Sequence, residues 1–191
     1  MSEEFTFATT RLGLLLDQYA TSYSMLCERL EGLTDEEYFW EPVPGSWNIR
    51  RRTAAQIDQV TGKGDWVHEQ ARPAPTPAPM TTIAWRIGHL VGTQMLRYDY
   101  TFGTKSLEEN DIKYPGNAAD ALTFLDQSHQ AWHAGLAGLR DADLDVVGLS
   151  SFPHGLDPHI PFGPLIWWTN RELIHHGGEI GLLRDLWQFR A

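Results

Sequence analysis

Hydrophobic positions recur at three- and four-residue intervals in four stretches of this chain, the period of a helix with one buried face. The first, residues 9–31, repeats Leu12, Leu15, Leu16, Tyr19, Tyr23, Leu26 and Leu30. Gly32 stops it, and Thr34 with Glu37 three residues on has the spacing of a capping box. The second starts at Thr81 or Thr82, either a good N-cap, and runs to about residue 102, with the stripe Trp85, Gly88 or His89, Gly92, Leu96 and Asp99. The third, residues 117–139, opens on Asn117 and carries Leu122, Leu125, His129, Trp132, Leu136 and Leu139. The fourth begins at Pro164, a favoured first-turn residue, and runs to the end. Its inward stripe is Trp168, Glu172, His176, Glu179 and Leu183.

No stretch has the period-two alternation of a sheet. Residues 40–80 are the least regular part, with Pro42, Pro44 and Gly45, a short helical run over 52–60, Gly62-Lys63-Gly64, and then Pro73, Pro75, Pro77 and Pro79. Alternating prolines force an extended chain. Trp40, Trp47 and Trp66 would be wasted in solvent, so this segment reads as a long ordered loop lying over the helices. The expectation is an all-α protein, a four-helix bundle with that loop between its first and second main helices. At 191 residues, with 42% hydrophobic content, residues 1–191 read as one domain with a sizeable core.

Charge and cysteine usage exclude several classes. A net charge of −10 argues against a nucleic-acid partner, since the only basic cluster is Arg50-Arg51-Arg52 beside acidic neighbours. No apolar run reaches the length of a membrane span. Met1-Ser2-Glu3-Glu4 lacks the basic start of a secretory signal, and the single cysteine, Cys27, suits a reducing compartment. The expectation is a cytoplasmic protein in which Cys27 is a buried, inert thiol.

The chemistry sits in the fourth stripe. Glu172 and His176 are one turn apart on a core-facing side, and a buried carboxylate and imidazole need partners. Two readings stand open there: a divalent metal site, or a hydrogen-bonded Glu–His pair. His89, on the apolar stripe of the second helix between Gly88 and Gly92, would complete a His-Glu-His set with a fourth position free, the pattern of a catalytic metal site. Glu179 is placed to orient a ligand histidine. His175 points about 100° away from His176. His129 and His133 have chelating spacing but no supporting motif, and His154 and His159 lie in a Gly/Pro-rich loop. Arg184 and Asp185 read as a solvated face.

The segments Thr81-Thr82-Ile83-Ala84-Trp85-Arg86-Ile87-Gly88-His89-Leu90 and Asn170-Arg171-Glu172-Leu173-Ile174-His175-His176-Gly177-Gly178-Glu179-Ile180 resemble the DinB/YfiT-like superfamily, as does Pro44-Gly45-Ser46-Trp47-Asn48-Ile49-Arg50. The resemblance implies a four-helix bundle, often a homodimer, with a divalent metal held by three histidines. It also implies thiol-dependent chemistry: S-transferases for bacillithiol or glutathione, or a mycothiol-dependent maleylpyruvate isomerase. His89 and His176 match two of the ligands, whereas Glu172 stands where the family has its third histidine. Glutamate also ligates zinc or nickel, and lowers the charge of the centre by one. The expected function is activation of a low-molecular-weight thiol or water against a small electrophile. Trp85, Trp168 and Trp47 would wall the site, with Arg86 and Arg50 as carboxylate binders. The alternative is a non-catalytic, small-molecule-binding or structural helical dimer with a degenerate metal site.

Overall fold

The computed structural model describes residues 8–190, so Met1-Ser2-Glu3-Glu4 lies outside the described residues. Helix α1 (Arg11–Leu30) is opened by the Thr10 hydroxyl, which accepts from Gly13 N at 3.0 Å, and it buries Leu12, Tyr19, Tyr23, Leu26 and Leu30. The short α2 (Asp35–Tyr38) starts at Thr34 as its spacing predicts. Glu37 does not close the capping box. Its carboxylate is buried against Arg184, with Nε 2.8 Å from Oε1. Arg184 is therefore no solvated residue: its long stem reaches from the last helix into this pair. Asp185 is exposed and pairs with Arg29.

Residues 40–80 hold a small antiparallel sheet that the hydrophobic pattern did not reveal. It comprises β1 (Ile49–Arg51), β2 (Val60–Thr61) and β3 (Trp66–Glu69) in the order β1-β3-β2, with Ile49 opposite His68 and Thr61 opposite the same residue on the other edge. Strands of two to four residues are too short to display a period. The expected helical run at 52–60 reduces to one 3₁₀ turn, Arg52–Ala54, followed by β2. Gly62 and Gly64 take φ of 111° and 98° in the turn between β2 and β3, a region that other residues rarely adopt. Glu69 is the knot of the segment. Its fully buried carboxylate accepts from Asn48 N at 3.0 Å, Arg50 Nε at 3.0 Å and Gln56 N at 2.6 Å.

Three long helices complete the chain. Helix α3 (Ile83–Phe102) is capped by Thr82 and α4 (Ala118–Ala137) by Asn117. Helix α5 (Phe162–Gln188) begins two residues before the expected Pro164. Helix α1 lies along α5 and α3 along α4, while α3 also meets α5, so the four long helices form the expected bundle. Tyr19, Leu90, Trp132, Phe162 and Ile166 fill its centre. Cys27 is exposed, contrary to expectation, because Leu26 and Leu30 take the core-facing stripe of α1 and Cys27 falls beside it. Among the described residues, no helix is long and apolar enough to cross a membrane.

Candidate metal centre and adjoining cavity

The sheet, α3 and α5 meet at one place. Gly88 lets α3 approach the sheet, since a Cβ there would lie 2.8 Å from Ile49 Cδ1 and 3.1 Å from His68 Cδ2. The glycine thus makes room for the strands. One residue on, His89 lies under Trp85, ring parallel to ring within 5° and centroids 5.2 Å apart. The indole is itself held by its Nε1–H, which donates to Glu69 O at 2.6 Å.

From α5, Glu172 and His176 come to the same point. Glu172 Oε2 lies 3.3 Å from His89 Nε2 and 3.4 Å from His176 Nε2, and all three donor atoms fall within 4.8 Å of one another. Both α5 side chains are 12% exposed. Glu172 Oε1 accepts from Arg171 at 2.5 Å. On the far side of His176, Nδ1 lies 2.7 Å from Glu179 Oε2, and the same carboxylate holds the buried guanidinium of Arg86. Burial pushes the Glu172 carboxyl up, but hydrogen bonds to His176, His89 and Arg171 overturn this and hold it well below the usual carboxylate range. Burial keeps His89 below its ordinary value against the pull of Glu172.

These contacts test whether the residues suit a metal. A carboxylate only accepts, so the Glu179 contact puts a proton on His176 Nδ1. Its Nε2 is then the ring nitrogen left for the cluster, 3.4 Å from Glu172 Oε2, where a proton or a metal ion would bring the two groups together. Donors on a tetrahedral ion, each about 2.0–2.1 Å from it, stand about 3.3–3.4 Å apart. The two measured separations, 3.3 and 3.4 Å, fit that edge. A second trio, His175, His176 and Glu179, also converges, but the His175 side chain is 62% exposed and lies on the outer side of α5. His129 and His133 stack on each other and on Tyr19, and among the described residues no third ligand joins them.

A cavity of about 410 Å³ opens beside His89. Of the residues expected to wall the site, Trp168 lines it, whereas Trp85 packs behind His89. Trp47 is buried against Trp85. Arg86 and Arg50, expected as carboxylate binders, are taken by Glu179 and by Glu41 and Glu69. The arginines at the cavity are instead Arg72 and Arg97, and Arg97 forms one i, i+4, i+8 row of α3 with His89 and Thr93. That spacing was available in the sequence. His68 and Tyr114, also on the wall, lie in irregular stretches where no period marks them. His154 reaches the cavity from the loop before α5, while His159 does not line it.

A family model described as the DinB superfamily matches residues 61–180, nearly two thirds of the chain and all three converging residues. The chain belongs to the DinB superfamily. The match leaves the 44–50 segment outside it, although the sequence there carries part of the resemblance. No curated protein and no solved structure matches this DinB-superfamily chain.

Proposed function

We propose that this DinB-superfamily protein is a divalent-metal-dependent enzyme, with His89, Glu172 and His176 as ligands for zinc or nickel. The observation that carries the reading is the convergence of one donor atom each from His89, Glu172 and His176 within 4.8 Å, with Glu179 Oε2 2.7 Å from the other ring nitrogen of His176. Two histidines, one glutamate and an open position make a donor set used by catalytic zinc. When bound, such an ion would acidify a low-molecular-weight thiol or a water, making a nucleophile available at neutral pH. Bacillithiol, mycothiol or glutathione would be the thiol, and the electrophile a small molecule seated in the cavity, giving an S-transferase, isomerase or hydrolase. The chain's own residues do the positioning. Glu179 orients His176, Trp85 sets the ring plane of His89, and Trp168 with Phe152 gives the cavity apolar wall. We take the chain as one domain, cytoplasmic and homodimeric, with neither nucleic acid nor membrane as partner.

One observation favours a second reading. Glu172 has both oxygens engaged, by His89 and His176 on one and Arg171 on the other, so a proton alone would satisfy the cluster. That would make the protein a non-catalytic small-molecule-binding dimer with a degenerate site. Metal analysis of the purified protein, beside a His89→Ala variant, separates the two. Near one ion per chain, lost in the variant, supports the enzyme and opens a screen of the three thiols against 1-chloro-2,4-dinitrobenzene. No metal after incubation with zinc or nickel sinks it.

A further inference from the structure

The cavity has a second end that the metal reading leaves unused. There Arg97, only 12% exposed, lies against two aromatic rings, its guanidinium carbon 4.1 Å from the Phe152 centroid and 4.7 Å from that of Trp168. Its sole ion-pair partner among the described residues is Asp157, whose Oδ2 stands 3.4 Å from Nε without forming a hydrogen bond. No protein acceptor among the described residues takes a hydrogen from either Nη. Rings against a guanidinium leave its in-plane N–H edge for hydrogen bonding, and a nearly buried arginine with unused donors is costly unless something accepts from them. Arg97 lines the cavity, so its free Nη donors face whatever fills that space, water or a bound molecule.

We propose that Arg97 anchors a carboxylate subsite, so that the cavity takes a small carboxylic acid with an apolar body. A planar two-oxygen anion matches the free fork. A phosphate dianion does not suit the place, because Asp157 and Glu109 already crowd it with negative charge and the second arginine, Arg72, is bound to Glu109 at 2.6 Å. Leu96, Ile112 and Trp168 offer apolar wall for the rest of the molecule, and about 410 Å³ holds a single ring or a short chain. The rival role for Arg97 is a purely structural one, pinning the loop that carries Asp157 onto α3.

That the bound acid is the substrate rests on the metal-dependent reading; that it binds at Arg97 does not. The full chain, stripped with EDTA and separately loaded with zinc, is titrated with benzoate and with benzamide, its neutral counterpart, by calorimetry or saturation-transfer NMR. Benzoate is expected to bind at least tenfold more tightly than benzamide in both forms and in His89→Ala. The double variant Arg97→Gln/Asp157→Asn, which removes both charges of the pair together, is expected to lose that preference while keeping the wild-type melting temperature. Asp157→Asn alone keeps the guanidinium and should bind benzoate at least as well as wild type. Equal binding of the two probes, no binding at millimolar concentration, or unchanged benzoate affinity in the folded double variant overturns the subsite. Weakened binding in Asp157→Asn does the same, since it would assign Arg97 to holding the loop. Binding that appears only with zinc would move the carboxylate to the metal instead.

Discussion

Glu179 does two jobs with one carboxylate, and both can be measured. It accepts from His176 Nδ1 at 2.7 Å and neutralises the buried Arg86. Partners of this kind raise the basicity of a ligand histidine, and their loss weakens metal binding about 10–100-fold. Glu179→Gln should therefore reduce zinc affinity by that order in a competition titration, with the helical circular dichroism unchanged; an unaltered affinity would mean that His176 needs no such support. A different histidine sets a pH dependence. Burial, and then the charge of His133, hold His129 down at about 4 against the opposing pull of Asp126. Tyr19 and Tyr23 of α1 cover its ring. The folded state resists a proton that the unfolded chain takes up near 6.5, so this contribution to stability is complete above pH 6.5 and is lost as pH falls from 6.5 towards 4. In denaturant titrations the wild type should lose more stability than His129→Phe between pH 7 and pH 4.5. Parallel losses would mean that His129 is solvated.

At the level of elements, legibility followed length. The four long helices and the caps Thr82 and Asn117 could be read because each rests on local spacing repeated over several turns. The sheet could not, since its longest strand has four residues and its stability comes from contacts distant in sequence. The site divides the same way. Glu172, His176 and Glu179 share one stripe of one helix, so their convergence was visible; His89 had to be brought to them by the packing of α3 on α5. Arg86 misled, because its choice of Glu179 over the cavity depends on where the neighbouring helix stands. Glu69 shows how the irregular segment is held without long strands. It accepts two backbone N–H groups and one arginine while fully buried, so Glu69→Gln removes the charge that pairs Arg50. Because Arg50 keeps Glu41 at 2.8 Å, the cost is that of weakened hydrogen bonds to a charged group, about 1.5–3 kcal/mol. Urea unfolding should register a loss of that order, and a loss below about 1 kcal/mol, the range of an exposed pair, would make the knot incidental.

At the scale of the whole molecule, the outer face of α1 and α5 does not look finished. Met25 is 63% exposed, Trp167 57%, Ile174 47% and Leu182 60%. Met25, Ile174 and Leu182 line one groove, about 520 Å³ in volume, and Ile174 joins it to the surface around Trp167. Isolated apolar side chains on a surface are ordinary, but a continuous set along two adjacent helices is the mark of an interface. A second copy of the chain would bury the same set from both sides, as a two-fold dimer requires. The helices that build this face also carry the chemistry, for Glu172 and His176 lie on the inner side of α5 while Ile174 and Leu182 lie on its outer side. Covering the face would therefore stiffen the helix that holds two of the three candidate ligands. Sedimentation velocity at micromolar concentration should give a dimer for the wild type, and Ile174→Glu/Leu182→Glu should give a folded monomer. If zinc affinity falls in that monomer as well, the interface helps hold the centre. If the wild type already sediments as a monomer, the groove must be assigned to some other partner and α5 must keep its ligands in place by its packing against α1 and α3 alone.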